Sequence, residues 1–271
     1  MTGPIPRTFT AVKWSTFSSN PSTMKKPLLL PAMGLFLLSF IACKKDLHLT
    51  GFLPGGISAY QLKTFRFATG INNYDDTLTF TYDHFGNPVT VTRSVPYTGA
   101  PNYAFGYDKN HRLTAFYGTY TSGHTAEIFH KYFYDAQGHI TLDSVYSFAD
   151  HSGDTIIDWI DRYAFGLQYD EYGRVSAQFN PSDTLTRTSY LYDGRGNLET
   201  GATYDDKVNF HRTNWVWMFI DRDFSLNNPF KATSYTIAGL PTHFIPSVTE
   251  SFKGFLGNNI YWEAWITYEP R

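Results

Sequence analysis

Tyr169-Asp170-Glu171-Tyr172-Gly173-Arg174-Val175 decides the fold, because its opening phrase recurs along the chain. Tyr82-Asp83-His84-Phe85-Gly86, Tyr107-Asp108-Lys109-Asn110-His111, Tyr134-Asp135-Ala136-Gln137-Gly138 and Tyr192-Asp193-Gly194-Arg195-Gly196 repeat it, at spacings of 25, 27, 35 and 23 residues. An apolar residue follows at a fixed offset in four copies (Leu113, Ile140, Val175, Leu198), and the first copy has Pro88 there with Val89 next. The phrase is a hairpin turn. Aspartate opening a type I turn hydrogen-bonds the backbone ahead of it, and glycine three residues on supplies the left-handed conformation that returns the chain to a strand. In the second copy His111 stands in place of that glycine, and Asn110 before it tolerates positive φ, which leaves room for a one-residue shift.

The flanks alternate with a period of two. Leu78, Phe80 and Tyr82 share one face with Thr77, Thr79 and Thr81 opposite, and Tyr103, Phe105, Tyr107 and Tyr163, Phe165, Leu167, Tyr169 follow suit. Between the phrases lie other turn signals: Tyr97–Pro101, Thr121-Ser122-Gly123-His124, Asp150–Asp154 and Asn180-Pro181-Ser182-Asp183. Two interleaved sets of turns predict an all-β fold, a long antiparallel meander of about ten strands between residues 77 and 203. Twist accumulates over so many strands, so the expectation is a strongly curled sheet, rolled into an open barrel-like form.

The phrase resembles the YD repeat of the RHS family, Tyr-Asp-x-x-Gly-x-hydrophobic, over about residues 74–200. The whole chain resembles short Bacteroidetes-type YD-repeat lipoproteins more than giant RHS toxins. In such proteins the repeats are followed by a Tyr-Asp-Asp-Lys-Pro-Asn-Pro-Phe-like phrase and an Asn-Asn-Pro. This chain has Tyr204-Asp205-Asp206-Lys207-Val208-Asn209-Phe210, without either proline, and Asn227-Asn228-Pro229. Closing strands are expected over about residues 204–271, around 233–237, 247–252 and 260–268. Trp215–Ile220 reads equally as a strand or a turn of helix plugging an open end.

The N-terminal part places the protein. Lys25 and Lys26 precede an apolar run, Leu28–Ala42, that ends at Cys43, the only cysteine. A secretory leader needs a cationic start, roughly 7–15 apolar residues and a small residue before the cut. At 15 residues the run is short of the ~20 that spanning takes. Phe40-Ile41-Ala42-Cys43 resembles a lipobox, which implies lipidation of Cys43. The expected organisation is an extension ahead of the true start (1–23), a signal peptide (24–42), a lipidated tether (43–56) and one β domain (57–271). The partner so implied is a membrane, reached through the lipid anchor. Lys44 lacks the aspartate that retains some lipoproteins at the inner membrane, so the resemblance favours the outer membrane.

Removing residues 1–42 takes away Arg7, Lys13, Lys25 and Lys26, which lowers 22 basic residues to 18 against 24 acidic ones, a net charge of −6. With no basic stripe, nucleic acid is not an expected partner. No histidine pair has metal-ligand spacing: His124 and His130 flank Glu127 but are six apart, and His84, His111 and His139 sit beside turns. Asp150, Asp154, Asp158 and Asp161 do not match a calcium loop. No nucleophile elbow, phosphate loop or dinucleotide glycine pattern occurs. No catalytic residue, metal or cofactor is therefore assigned, and the expectation is a non-enzymatic binding or structural module. A hydrolase would need two carboxylates about 5–9.5 Å apart across a cleft.

Aromatic residues, 18% of the chain, are the remaining clue. Most belong to the alternating apolar face and fill a thin core. Trp159, Trp215, Trp217, Trp262 and Trp265 lie outside the phrases and form the candidate platform for a glycan or an envelope protein. Trp262 and Trp265 are an odd number apart, so a regular strand turns them to opposite faces.

Overall fold

The computed structural model describes residues 59–69, 74–120, 125–152, 155–245 and 263–271, all within the compact unit Lys45–Arg271. The leader, Cys43, Trp262 and the strand expected at 247–252 lie outside the described residues.

The expected meander is present. It runs β1 (Tyr60–Thr69), β2 (Tyr74–Tyr82), β3 (Pro88–Arg93), β4 (Asn102–Tyr107), β5 (Leu113–Thr119), β6 (Thr125–Tyr134), β7 (Ile140–Ser152), β8 (Thr155–Asp158), β9 (Asp161–Tyr169), β10 (Val175–Asn180) and β11 (Asp183–Ser189). After a 3-10 turn at Phe210–Thr213 and the helix α1 (Trp215–Asp221), the chain returns as β12 (Ser234–Tyr235), β13 (Pro241–Phe244) and β14 (Glu263–Pro270). β14 pairs antiparallel with β1, so the tail extends the sheet from its first edge. The order is β11-β10-β9-β7-β6-β5-β4-β3-β2-β1-β14-β13-β12, with β8 paired to β7 alone. β7 and β8 account for the longest interval between phrases, where one hairpin outgrows its neighbours.

The barrel-like expectation is not met. β11 and β12 end the sheet at opposite edges with no pairing between them, so the sheet is open. The physical reason lies in the cover. The apolar face that closure would have buried carries Phe65, Leu78, Phe80, Phe105 and Val175, and the chain's own Phe210, Trp217, Phe219, Phe224 and Phe230 join the same core. The Trp217 ring meets Phe80 at 5.4 Å and Phe105 at 5.5 Å, both edge-on. Phe219 meets Tyr132 on β6 at 5.3 Å, and Phe210 meets Phe65 on β1 at 5.8 Å.

Why Trp215–Asp221 is helical is visible in its caps. The Asn214 side chain accepts from the Val216 N–H at 3.0 Å, while its Nδ2 donates to the Gly86 carbonyl at 2.9 Å. Arg222 ends the helix in the left-handed region, φ 54°, with its N–H on the Met218 and Phe219 carbonyls. Four consecutive residues, Val216–Phe219, are buried, so the segment has no polar face for periodicity to find.

Because Trp217 is wholly buried and Trp159 is 45% exposed, truncating the two should separate. Trp217→Ala is expected to lower the unfolding free energy by about 3–5 kcal/mol. Trp159→Ala should stay within about 1 kcal/mol of the parent. Equilibrium denaturation of both variants checks this; equal losses would mean that α1 is not the keystone of the core.

Candidate functional site

All five Tyr-Asp phrases form one structure. In the fourth, the Asp170 N–H donates to the Arg174 carbonyl at 3.0 Å and the Gly173 N–H to the Asp170 carbonyl at 3.1 Å. Asp170 Oδ1 accepts from the Tyr172 and Arg174 amides at 3.0 and 2.9 Å. The same pairs of side-chain bonds recur at Asp83, Asp108, Asp135 and Asp193. Gly86, Gly138, Gly173 and Gly196 have φ between 74° and 88°, and His111 takes the same conformation at 60°. The second turn therefore keeps its register, with histidine itself in the left-handed region.

Each phrase tyrosine lies against the core and gives its hydroxyl to the neighbouring hairpin. Tyr107 donates to Pro88 (2.8 Å), Tyr134 to Leu113 (2.7 Å), Tyr169 to Ile140 (2.9 Å) and Tyr192 to Val175 (3.5 Å), always the residue six beyond the preceding phrase tyrosine. Tyr82 donates to Leu62 on β1 at 2.9 Å. Burial raises the pKa of Tyr82, Tyr107, Tyr169 and Tyr192 and pushes Tyr134 up to about 12, so these hydroxyls remain donors.

Two features of the turns escaped the sequence reading. In the second and fourth turns the residue four beyond the aspartate is an arginine that binds its second oxygen and reaches the next tyrosine, whereas in the fifth Asn197 donates instead to Asn227. Arg174 Nε donates to Asp170 Oδ2 at 2.7 Å while its guanidinium lies 3.9 Å from the Tyr192 ring centroid; Arg112 does the same between Asp108 and Tyr134, and His139 stacks on Tyr169 at 4.9 Å. A further turn, Tyr235-Thr236-Ile237-Ala238-Gly239-Leu240-Pro241, copies the phrase with threonine for aspartate. Thr236 Oγ1 accepts from the Leu240 amide at 3.1 Å, Gly239 has φ 80°, and Pro241 accepts the Tyr268 hydroxyl at 2.7 Å. The signal was the Tyr-x-x-x-Gly spacing, which the search for aspartate passed over.

The tryptophans are not gathered into one platform. Trp217 is in the core. Trp215, at the start of α1, stacks on Phe219 at 4.9 Å. Trp265 on β14 is flanked on both sides: Arg66 on β1 lies 4.7 Å from its centroid and His243 on β13 stacks at 5.4 Å. Trp159 packs edge-on against Tyr146 at 5.7 Å. β9, which follows Trp159, and β14 stand eight places apart in the sheet order.

A concavity lies at the end of β9–β11 away from the Tyr-Asp turns. A groove of about 460 Å³ is lined by Tyr163, Phe165, Gln178, Asn180, Thr186 and Thr188 among others. Tyr163 is the cross-strand partner of Val145, and Gln178 that of Leu167. Val145 and Leu167 are buried, so the groove continues the core face beyond the part that residues 210–230 cover. The lining holds three aromatic rings (Tyr163, Phe165 and Phe179), two amides and four hydroxyls (Tyr163, Ser182, Thr186 and Thr188), and no carboxylate among the described residues. Arg162 borders it, but its guanidinium lies 5.3 Å from the ring centroid of Tyr146, its cross-strand partner.

Beside the groove, a buried ionic cluster ties helix to sheet. Asp143, opposite Phe165, meets His130 Nδ1 at 2.8 Å and accepts from Arg222 Nη2 at 3.0 Å. Burial raises the Asp143 pKa, yet His130 and Arg222 outweigh it and hold the carboxyl below the usual range. A second cluster surrounds His211. Its Nδ1 meets Asn209 Oδ1 at 2.9 Å and its Nε2 meets Asp221 Oδ2 at 2.7 Å. Asn209 Nδ2 donates to Asp223 at 3.1 Å, which fixes its oxygen toward the ring. Both ring nitrogens thus face acceptors, as an imidazolium requires. Burial lowers the His211 pKa, but the Asp221 hydrogen bond and charge override this and raise it.

Among the described residues no group of three or more His, Cys, Asp or Glu side chains is placed to hold a metal ion. Asp161 is exposed, and the backbones of Asp150 and Asp158 pair across β7 and β8. No protein-family model matches the chain, and no curated protein matches it.

The turn aspartates and His211 bend stability in opposite directions. The amides of Arg112 and His139 hold Asp108 and Asp135 low; at Asp83 burial pulls upward and the Asn87 bonds prevail. Their contribution is present above the unfolded pKa of about 3.9 and is lost as pH falls through the folded values. His211 contributes fully below its unfolded pKa of about 6.5 and loses that contribution as pH rises through the folded value. Denaturation measured across pH should therefore show a maximum between about pH 4 and 6.5. His211→Gln should flatten the alkaline limb and spare the acid limb; an unchanged alkaline slope would show that His211 folds neutral.

Proposed function

We propose that this chain is a lipid-anchored cell-envelope protein, a non-enzymatic YD-repeat module of the RHS type, whose groove on β9–β11 binds a neutral saccharide. The lipobox-like Phe40–Cys43 and the cationic apolar leader support the anchor, and Lys44 supports the outer membrane. The groove lining carries the binding reading. Tyr163 and Phe165 supply faces for the apolar side of a sugar ring, while Gln178, Asn180, Thr186 and Thr188 supply donors and acceptors without net charge. Glycoside hydrolysis needs a pair of carboxylates, and this lining supplies none, so binding is favoured over cleavage at this site.

A glycan array probed with the mature chain in mild detergent tests the reading. Neutral oligosaccharides should be retained, Tyr163→Ala should lose them at least tenfold, and Trp159→Ala should bind as the parent does; retention that ignores Tyr163 would place the ligand elsewhere. The anchor is checked separately. Cys43→Ala should end incorporation of labelled palmitate and release the protein into the soluble fraction, and persistent labelling would move the anchor to another residue.

A further inference from the structure

The Tyr-Asp turns all lie at one end of the sheet, and the β12–β13 turn lies there with them. In sheet order their tips are Ile237, then Phe85, Lys109, Gln137, Tyr172 and Arg195. All six are exposed, and three are large apolar or aromatic side chains. Trp215 is at the same end, because its neighbour Asn214 bonds the Gly86 carbonyl of the first turn, and it too is exposed. The chain also enters the fold here. Tyr60 opens β1 opposite Pro270, the Arg271 N–H donates to the Ala59 carbonyl at 2.9 Å, and Arg271 Nη2 donates to the Gly86 carbonyl at 3.0 Å. Sixteen residues separate Cys43 from Tyr60, a reach of at most about 55 Å.

We infer that this row of turns is the surface that rests on the phospholipid bilayer. Ile237, Phe85, Trp215 and Tyr172 enter the interfacial layer, and Lys109 and Arg195 lie among the lipid phosphates. The inference rests on the lipid-anchor reading of Cys43 given above. Tryptophan and tyrosine favour that layer, where one end of the side chain is apolar and the other wet. Lysine and arginine reach phosphates while their stems stay on apolar ground. The turns are also built to leave water. In each phrase the aspartate accepts two backbone amides of its own turn, so those donors are not stranded in a drier medium.

Charge separates the two ends. Arg112 and Arg174 pair with Asp108 and Asp170 at 2.7 Å each. That leaves Asp83, Asp135, Glu171 and Asp193 nearly balanced by Lys109, Arg195 and Arg271. At the other end, residues 150–162 and 180–183 carry five aspartates against Arg162 alone, and the exposed Trp159 and Ile160 stand between Asp158 and Asp161. Anionic head groups repel such a cluster within a Debye length of about 8–10 Å. With the turns on the bilayer, the groove at the far end of β9–β11 is held roughly one strand length away, about 30 Å for the nine residues of β9. It then faces polymers outside the membrane.

Single-site fluorescence in the full mature chain, reconstituted through its own anchor into vesicles of phosphatidylethanolamine and phosphatidylglycerol, tests the orientation. A lipidated Cys43 has no thiol, so the parent should take up no maleimide dye and each added cysteine should label alone. Gln137→Cys is at a turn tip and Thr98→Cys at the opposite end, and both positions are exposed. Doxyl-labelled lipid should quench the dye at Gln137→Cys severalfold more than at Thr98→Cys. Adding Phe85→Ser and Tyr172→Ser should lower the Gln137→Cys quenching severalfold while leaving the unfolding midpoint at the parent value. Equal quenching at the two sites, stronger quenching at Thr98→Cys, or quenching indifferent to the serine pair would overturn the inference. A parent that takes up dye at Cys43 removes the anchor reading; an undyed parent with equal quenching removes the orientation alone.

Discussion

Backbone pairing between successive hairpins stops short of the Tyr-Asp turns, and the phrase tyrosines bridge what is left. β3 and β4 pair only at Thr90–Ala104 and Val91–Tyr103; β5 and β6 begin at Ala115–Lys131; β7 and β9 begin at Leu142–Gly166. Toward the turns the carbonyls of Pro88, Leu113 and Ile140 lie beyond those ladders. A half-buried carbonyl without a donor carries a desolvation cost of about 1–3 kcal/mol. The hydroxyls of Tyr107, Tyr134 and Tyr169 meet that need from one hairpin away, and their rings meanwhile pack on the core. Phenylalanine would keep the packing and lose the donor, which explains why the phrase opens on tyrosine.

The aspartate and the residue after the glycine complete the same device. Aspartate satisfies two turn amides with one oxygen. Its other oxygen holds Arg112 or Arg174, whose guanidinium then lies against the tyrosine that the next hairpin supplies. The aspartate closes each turn within itself and the tyrosine hydroxyl ties it to its neighbour, with arginine adding to both ties in the second and fourth turns. The units end where residue 204 begins. Tyr204 gives its hydroxyl to Leu198 beyond the last phrase at 2.6 Å, and Asp205 Oδ2 accepts that of Tyr235 on β12 at 2.9 Å. The consecutive residues Tyr204 and Asp205 thus continue the tyrosine contacts at the last turn and at the opposite edge strand.

This division explains which parts of the fold were legible. Period-two alternation and a repeated turn phrase are local, so the strands from Tyr74 to Ser189 and the five turns could be read from residues alone. β1 has no phrase at its entry, and its partner β14 lies about two hundred residues away, beyond the reach of any local pattern. α1 buries Val216, Trp217, Met218 and Phe219 in succession and so shows no amphipathic period. Rolling of the sheet was inferred from accumulated twist, but twist competes with cover, and residues 210–230 provided the cover. The tryptophans divide for a related reason: rarity in sequence says nothing of exposure, and Trp217 is the centre of the core while Trp159 and Trp215 stay exposed.

The groove follows from the same limit on cover. The segment from Phe210 to Phe230 spans the core face from β1 to β7, where Arg222 reaches Asp143, and goes on to the last Tyr-Asp turn, where Ser225 and Leu226 bond Leu198 and Gly196. The ends of β9 to β11 away from the Tyr-Asp turns extend past it, with Tyr163, Phe165, Gln178 and Thr188 on the same face. A face that is apolar by its hairpin alternation, but that the chain's own cover does not reach, must be either polar enough to stay wet or open to a ligand. Tyr163 and Phe165 keep the aromatic character of the core rows, while amides and hydroxyls replace the aliphatic residues around them. That mixture suits a surface that is alternately hydrated and occupied. The mixture lies where the cover ends, which makes the groove a product of the architecture and separates it from the turns that hold the sheet together.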